Sequence, residues 1–316
     1  MEFFKHNTQI NFMAQRKWAA ALSIALFLLS TIALVVNGLN WGLDFTGGTQ
    51  IQVSYPTEAN LTQIHDNLEK AGFHDAIVIS YGNSHDVLIS LVPTKDAKQI
   101  KQPEANIGAI NQLVVAKVME SLPGAKLAQV DYIGPQVGEE MATKGLIATI
   151  VALLGTMIYI ALRFDMRFAI GSTVALIHDP IIILGIFALF HIEFNLITLA
   201  AILTVIGYSL NDTIVIFDRV RENFRKFRKA EPFEVMNQSI NQTLSRTIMT
   251  SALTLTVVLA LFFLGGNLLY GFSLALIIGI IVGTYSSIYV AGSLTLSLGL
   301  TRLHLVPQLK EVDNRP

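Results

Sequence analysis

Two carboxylates and an arginine stand where the sequence is otherwise too apolar to hold them. Asp212 lies in "GYSLNDTIVIFDR" (207–219), inside the apolar run Leu196–Phe217, and Asp179 in "LIHDP" (176–180), halfway along Phe168–Phe190. A carboxylate near the middle of a bilayer costs a few kcal/mol, so such groups need a partner for the charge or a use for it. At about 1.5 Å per helical residue, Asp212 sits about 24 Å below Leu196, in the third of the membrane nearest the cytoplasm. Thr204, Tyr208 and Asp212 share one helical stripe, with Ser209, Asn211 and Thr213 beside it. Arg246 opens the apolar run Thr247–Leu264 at a similar depth, and Thr250 and Thr254 continue its face. This set suits a carboxylate that loads and unloads a proton while an arginine tunes its affinity. It also suits a static salt bridge that only holds two helices together. His178 and Asp179 leave the same two readings open, proton relay or helix–helix hydrogen bonding. Pro180 is expected to free a carbonyl and kink its helix. Asp218, beside Arg219 and Arg221, reads as a solvated end group.

The elements that must position these groups are membrane helices. The 316 residues are 52% hydrophobic and 14% charged, with mean hydropathy +0.54, against roughly a quarter charged in soluble domains. Six stretches reach the length of about 20 residues that a bilayer demands: Trp18–Val36, Thr143–Leu162, Phe168–Phe190, Leu196–Phe217, Thr247–Leu264 and Leu269–Leu294. The first is too long for a signal peptide and lacks a small-x-small site, so it reads as a retained anchor. Lys and Arg gather before the first run (residues 1–17), around Arg163 and Arg167, after the fourth run and in the tail (301–316), whereas "HIEFN" and "GGN" carry none. The asymmetry puts both termini in the cytoplasm and residues 37–141 outside. The basic stretch 219–246 carries Phe233, Met236, Ile240 and Leu244 on one stripe, and is expected to form a helix lying flat on the cytoplasmic surface.

Residues 37–141 read as a small domain. "TQIQVSY" alternates as a half-buried strand, and a helix capped by Thr57 and stopped at Gly72 follows. Two strands, "AIVISYG" and "HDVLISLV", flank a turn at Gly82-Asn83-Ser84. A helix between Pro103 and Pro123 and a strand "KLAQVDYIG" complete a β-α-β-β-α-β order, the ferredoxin-like pattern. In the last run Gly271, Ala275, Gly279, Gly283, Ser287 and Ala291 recur at every fourth position, a ridge that lets another helix approach closely; whether that helix belongs to this chain stays open.

Several chemistries are excluded or weak. There is no cysteine, hence no disulfide or thiolate zinc site. "GYSLN" lacks the second glycine of a nucleophile elbow, no phosphate-binding loop occurs, and neither a metal-ligand spacing nor a cofactor motif is visible. A net charge of −1 gives no reason to expect nucleic acid. An intramembrane aspartyl protease built on Asp179 and Asp212 is a minor alternative.

"WGLDFTGGTQIQV" (41–53), "VDYIGPQVGEE" (130–140), "LIHDP" (176–180), "IGYSLNDTIVIFDRVREN" (206–223), "LSRTIMTS" (244–251) and "IIGIIVGTYSSIYVAGSL" (277–294) together resemble the SecF family, the smaller half of the bacterial SecDF protein-export complex. The resemblance implies an α-helical polytopic membrane protein of RND-like fold with an inserted ferredoxin-like α+β periplasmic domain. It implies a SecD partner, association with SecYEG and YajC in the bacterial inner membrane, and use of proton-motive force to help translocating polypeptides outward, with no covalent catalysis. By the family motif, Asp212 and Arg246 match the residues associated with proton conduction. Pro180 departs from the valine or similar residue expected there. The competing readings are a proton-driven small-molecule exporter half of the same superfamily and a passive assembly scaffold.

Overall fold

A computed structural model describes residues 8–74, 76–81, 83–91, 107–227 and 229–300. Among the described residues, six helices are long and apolar enough to cross a membrane. They are α1 (Arg16–Asn37), α5 (Pro135–Arg163), α6 (Met166–Leu189), α7 (Leu196–Lys226), α8 (Pro232–Leu264), and α9 (Gly266–Ser286) prolonged by a π-helical turn, Ser287–Ala291, and α10 (Gly292–Ser297). Local chemistry starts them. Pro135 and Pro232 stand in the first turns of α5 and α8, where a missing N–H is harmless. The Asp165 and Asn195 side chains accept N–H groups of α6 and α7, supplying caps for otherwise unpaired donors. Helix α6 runs through Pro180 without interruption.

The inserted domain has the expected strand and helix order. Its sheet runs β3 (Ala76–Tyr81), β4 (Asn83–Leu91), β2 (Gly48–Ser54), β5 (Lys126–Ile133), every neighbour antiparallel. Helices α3 (Leu61–Lys70) and α4 (Ile107–Ser121) place Ile64, Leu68 and Val118 against Ile51, Val53, Val87 and Ile89, forming a core separate from the membrane block. The start of the second helix at Pro103, Gly82 of the turn, and the tail 301–316 lie outside the described residues. The cap of α3 is Asn60, which accepts the Gln63 N–H at 3.2 Å, not Thr57. The Ala59 N–H is already held by Ser84 of β4, so the chain turns helical only after it.

Two further expectations change. The domain gives way to helix at Pro135, so residues 135–141 belong to α5. The stretch 219–246 is not a separate surface helix: α7 runs on to Lys226, and Pro232 begins the same helix that continues to Leu264. Its stripe is turned into protein, with Met236 and Ile240 fully buried. The N-terminal segment supplies part of that cover: the Asn241 carboxamide accepts the Ile10 N–H at 2.9 Å and donates to its carbonyl at 2.8 Å. A stripe that finds a protein groove has no apolar area left to lay on a membrane surface.

The small-residue ridge finds its partner in this chain. A Cβ at Gly271, Gly279 or Gly283 would meet Thr198, Val205 or Ser209 of α7, while Ala275, Ser287 and Ala291 are buried.

Candidate functional site

The ridge brings three helices into one polar seam. Asp179 of α6 is 0% exposed. Its Oδ2 accepts from the Ser209 hydroxyl of α7 at 2.6 Å and from the Ser286 hydroxyl of α9 at 2.8 Å. Its Oδ1 lies 3.0 Å from His178 Nδ1, whose Nε2 is buried without a protein partner. One step along the seam, Thr213 donates to Ser287 at 2.9 Å, and Ser287 donates to the Gly283 carbonyl. The π-helical turn begins at Ser287; such a turn shifts the helix register and occurs often beside functional residues.

Asp212 is buried differently. It is 3% exposed, and its Oδ2 has no hydrogen-bond partner. The direct Asp212–Arg246 bond expected from their common depth is not made: no such ion pair falls within 4.0 Å among the described residues, and Arg246 is exposed. Arg246 stands on the exposed side of α8, whereas the Asp212 carboxylate of α7 is buried. Asn211 is likewise exposed, and Tyr208 donates to Ser251 at 3.3 Å, which pairs with Thr284 of α9. The predicted group is thus divided. Asp179, His178 and Thr213 belong to one hydrogen-bonded seam, Tyr208 to a second, and Asn211 and Arg246 to an open side, with Asp212 buried beside Asn211. Asp218, read as solvated, pairs with Arg163 at 3.2 Å on the surface.

Sequence reasoning missed a junction between the inserted domain and the membrane block. Strand β1 (Asn40–Trp41) pairs in parallel with β6 (Glu193–Phe194), and Phe45 of α2 (Leu43–Thr46) stacks on Phe194 at 5.6 Å. The Asp44 carboxylate accepts the Leu196 N–H at 2.9 Å, adding a cap to α7. Gly48 holds φ +143°, and a Cβ there would clash with the Leu91 carbonyl. The signals available were the charged residue in "GLDFTGG" and the polar "HIEFN", whose meeting depends on tertiary structure.

Both of these regions lie within stretches that known families match. A family profile described as SecD/SecF GG Motif matches residues 32–55, and one described as Protein export membrane protein SecD/SecF, C-terminal, matches residues 114–301. The chain is 46% identical to a protein translocase subunit SecF of Vibrio alginolyticus over 99% of its own length and 97% of the relative's. It is 42% identical to the SecF of Escherichia coli O157:H7, with 99% and 95% covered. The chain belongs to the SecF family. The crystal structure of SecDF, a translocon-associated membrane protein from Thermus thermophilus, matches with a TM-score of 0.80 at 36% identity. That match covers 94% of this chain and 39% of the SecDF chain, so the chain spans about two fifths of that protein. A SecDF crystal structure in a super-membrane-facing form gives a TM-score of 0.70 at 35% identity. The expected fold class thus holds: a SecF-type multi-pass helical block with an inserted α+β domain.

Proposed function

We propose that this SecF-family chain pairs with a SecD subunit as one half of a proton-driven accessory to the Sec translocon. It works beside SecYEG and YajC in the inner membrane, where the pair draws translocating polypeptides outward. The support for SecD is that the SecDF chain of matching fold holds about one and a half times as much sequence again beyond the region this chain covers. Orientation, with both termini cytoplasmic and the inserted domain outside, rests on the clustering of Lys and Arg at one end of the block. The chain carries no covalent chemistry in this reading.

The observation that carries the mechanism is the unbonded, buried carboxylate oxygen of Asp212, next to a side of α7 that leaves Thr204, Gly207 and Asn211 exposed. Polar membrane faces are turned to protein or water, so this side is the one that meets SecD. Asp212 takes up a proton there and releases it, with Arg246 as the counter-charge that approaches when the halves move. One charge crossing 100 mV is worth about 2.3 kcal/mol, enough for a few protons to bias a domain motion.

The test is translocation into vesicles with and without an imposed proton-motive force. Asp212→Asn should abolish the increment due to that force while leaving co-purification with SecD intact. Asp212→Glu should keep part of it. Arg246→Lys, which loses the planar fork of donors, should fail in part. If the double variant Asp212→Asn with Arg246→Gln restores the increment, no titrating pair is needed and the reading fails.

A further inference from the structure

At the end of the block remote from the sheet domain, the C-terminal turns of α5 and α7 border an open pocket of about 350 Å³. It is lined by Arg163, Asp218, Arg221, Glu222 and Arg225. Its two carboxylates are already engaged: Asp218 with Arg163 at 3.2 Å, and Glu222 with Arg219 at 2.9 Å and Lys226 at 2.7 Å. Among the described residues, Arg221 and Arg225 have no carboxylate within 4.0 Å. The lining and its partners therefore count five cations (Arg163, Arg219, Arg221, Arg225, Lys226) against two anions (Asp218, Glu222), a surplus of three positive charges.

An apolar stripe runs along α5 to the level of this pocket, on a face about 100° round the helix from Arg163. Val151, Leu154, Ile158 and Leu162 of α5 fall on one helical face and all are exposed, Leu162 at 85%. The stripe ends one residue before Arg163. A ligand that fills both features carries a phosphate-bearing anionic head and a hydrocarbon tail long enough to follow several helical turns.

We propose that this pocket is a binding site for an anionic phospholipid. The headgroup phosphate is held by Arg221 and Arg225, an i,i+4 pair whose guanidinium groups match phosphate geometry, and an acyl chain lies along the exposed stripe of α5. Arg163 stays with Asp218 and closes the far wall. A zwitterionic lipid brings an ammonium group into the same surplus of positive charge and is disfavoured. Such a lipid fastens the end of α7, the helix that carries Asp212, to the membrane surface.

Native mass spectrometry of the full chain, released from nanodiscs of mixed phosphatidylglycerol and phosphatidylcholine, tests the site. The wild-type chain should retain phosphatidylglycerol selectively. Arg221→Gln with Arg225→Gln should lower that retention roughly thirty-fold, about fivefold for each arginine near the surface. Lys17→Gln with Lys229→Gln, which removes the same charge at the same end but outside the pocket, should leave it unchanged. All four positions are at least partly exposed, so both double variants should fold, and matching thermal melts check this. Equal loss in the two variants would reduce the effect to diffuse attraction and overturn the site. Displacement of the lipid by excess inorganic phosphate would overturn the lipid as occupant, leaving a free-anion site. Retention of phosphatidylcholine to the same degree would overturn the role of charge.

Discussion

The two buried aspartates have similar exposure and opposite surroundings. Asp179 accepts from hydroxyls on two other helices and touches His178, whereas Asp212 has a carboxylate oxygen with no partner. A buried carboxylate whose acceptor capacity is met helps define one arrangement of helices, and changing it leaves donors stranded. A buried carboxylate left unmet is strained in any single arrangement. Burial alone therefore does not distinguish a structural charge from a working one; the count of donors around it does.

The largest effect expected from this contrast is on stability. Asp179→Ala strands the Ser209 hydroxyl and His178 in the seam, leaves Ser286 only its bond to the Gly283 carbonyl, and should destabilise the chain by about 3 kcal/mol or more. Thermal unfolding in mild detergent checks this. If the melt of Asp179→Ala matches wild type, the seam does not hold the helices together and the contrast collapses.

Next in size is Gly283→Leu. A Cβ at Gly283 already falls 3.0 Å from the Ser209 Cβ and 3.5 Å from Asp179 Oδ2. Three further carbons push α9 from α7 and separate Ser286 from Asp179, at about 1–3 kcal/mol for an overpacked core. Gly155→Leu is the matched control, because nothing lies within 4 Å of a Cβ there. Equal melts for the two leucine variants would mean that the seam tolerates spreading.

How far these groups were legible in the sequence follows the same divide. Helical spans and the sheet domain were readable because apolar runs and period-two strands are local patterns. The ridge was readable as a ridge, since Gly271, Gly279 and Gly283 repeat every four or eight residues. That α7 is the helix it meets was not, because spacing on one helix says nothing of which helix faces it. Asp212 stood out by its cost in an apolar run. Its missing partner, and the three-way bonding of Asp179, depend on side chains brought together from three helices. The surface stripe of Phe233, Met236 and Ile240 misled for a related reason: an amphipathic face is the same for a membrane surface and for a protein groove.

A smaller stability effect and a larger functional one are expected at Asp212. Removing its charge strands no donor, so Asp212→Asn should change the melting free energy by less than about 1 kcal/mol, within the range of tolerated substitutions. Gly207→Leu sharpens this from the other side. A Cβ at Gly207 meets nothing within 4 Å, so the isolated chain should melt as wild type while recovery of a SecD complex falls. Full recovery of that complex would show that the open side of α7 faces lipid.

The smallest expected effect belongs to a third carboxylate, intermediate between the two. Glu193 of β6 sits at the domain junction, outside the membrane-spanning helices. Burial, and then the negative charge of Asp44, raise its pKa above the ordinary value. His191 stands two residues before it, and its carbonyl accepts from Asn40. Because the folded-state pKa exceeds the unfolded one, the Glu193 contribution to stability is fully present below the unfolded value. It is lost as pH rises through the raised folded value. The junction between β1 and β6 should therefore tighten on mild acidification. Amide hydrogen exchange at Gly42, whose N–H is held by the Phe194 carbonyl, reads this locally. Protection, corrected for intrinsic exchange, should decline as pH rises through that window in the wild type. Glu193→Gln, which cannot ionise, should flatten the dependence and hold the protected value at neutral pH. The Asp44 carboxylate, bonded to the Leu196 N–H, remains in both proteins. If the slope persists in Glu193→Gln, Glu193 is not the titrating group and belongs with Asp179 among the static charges.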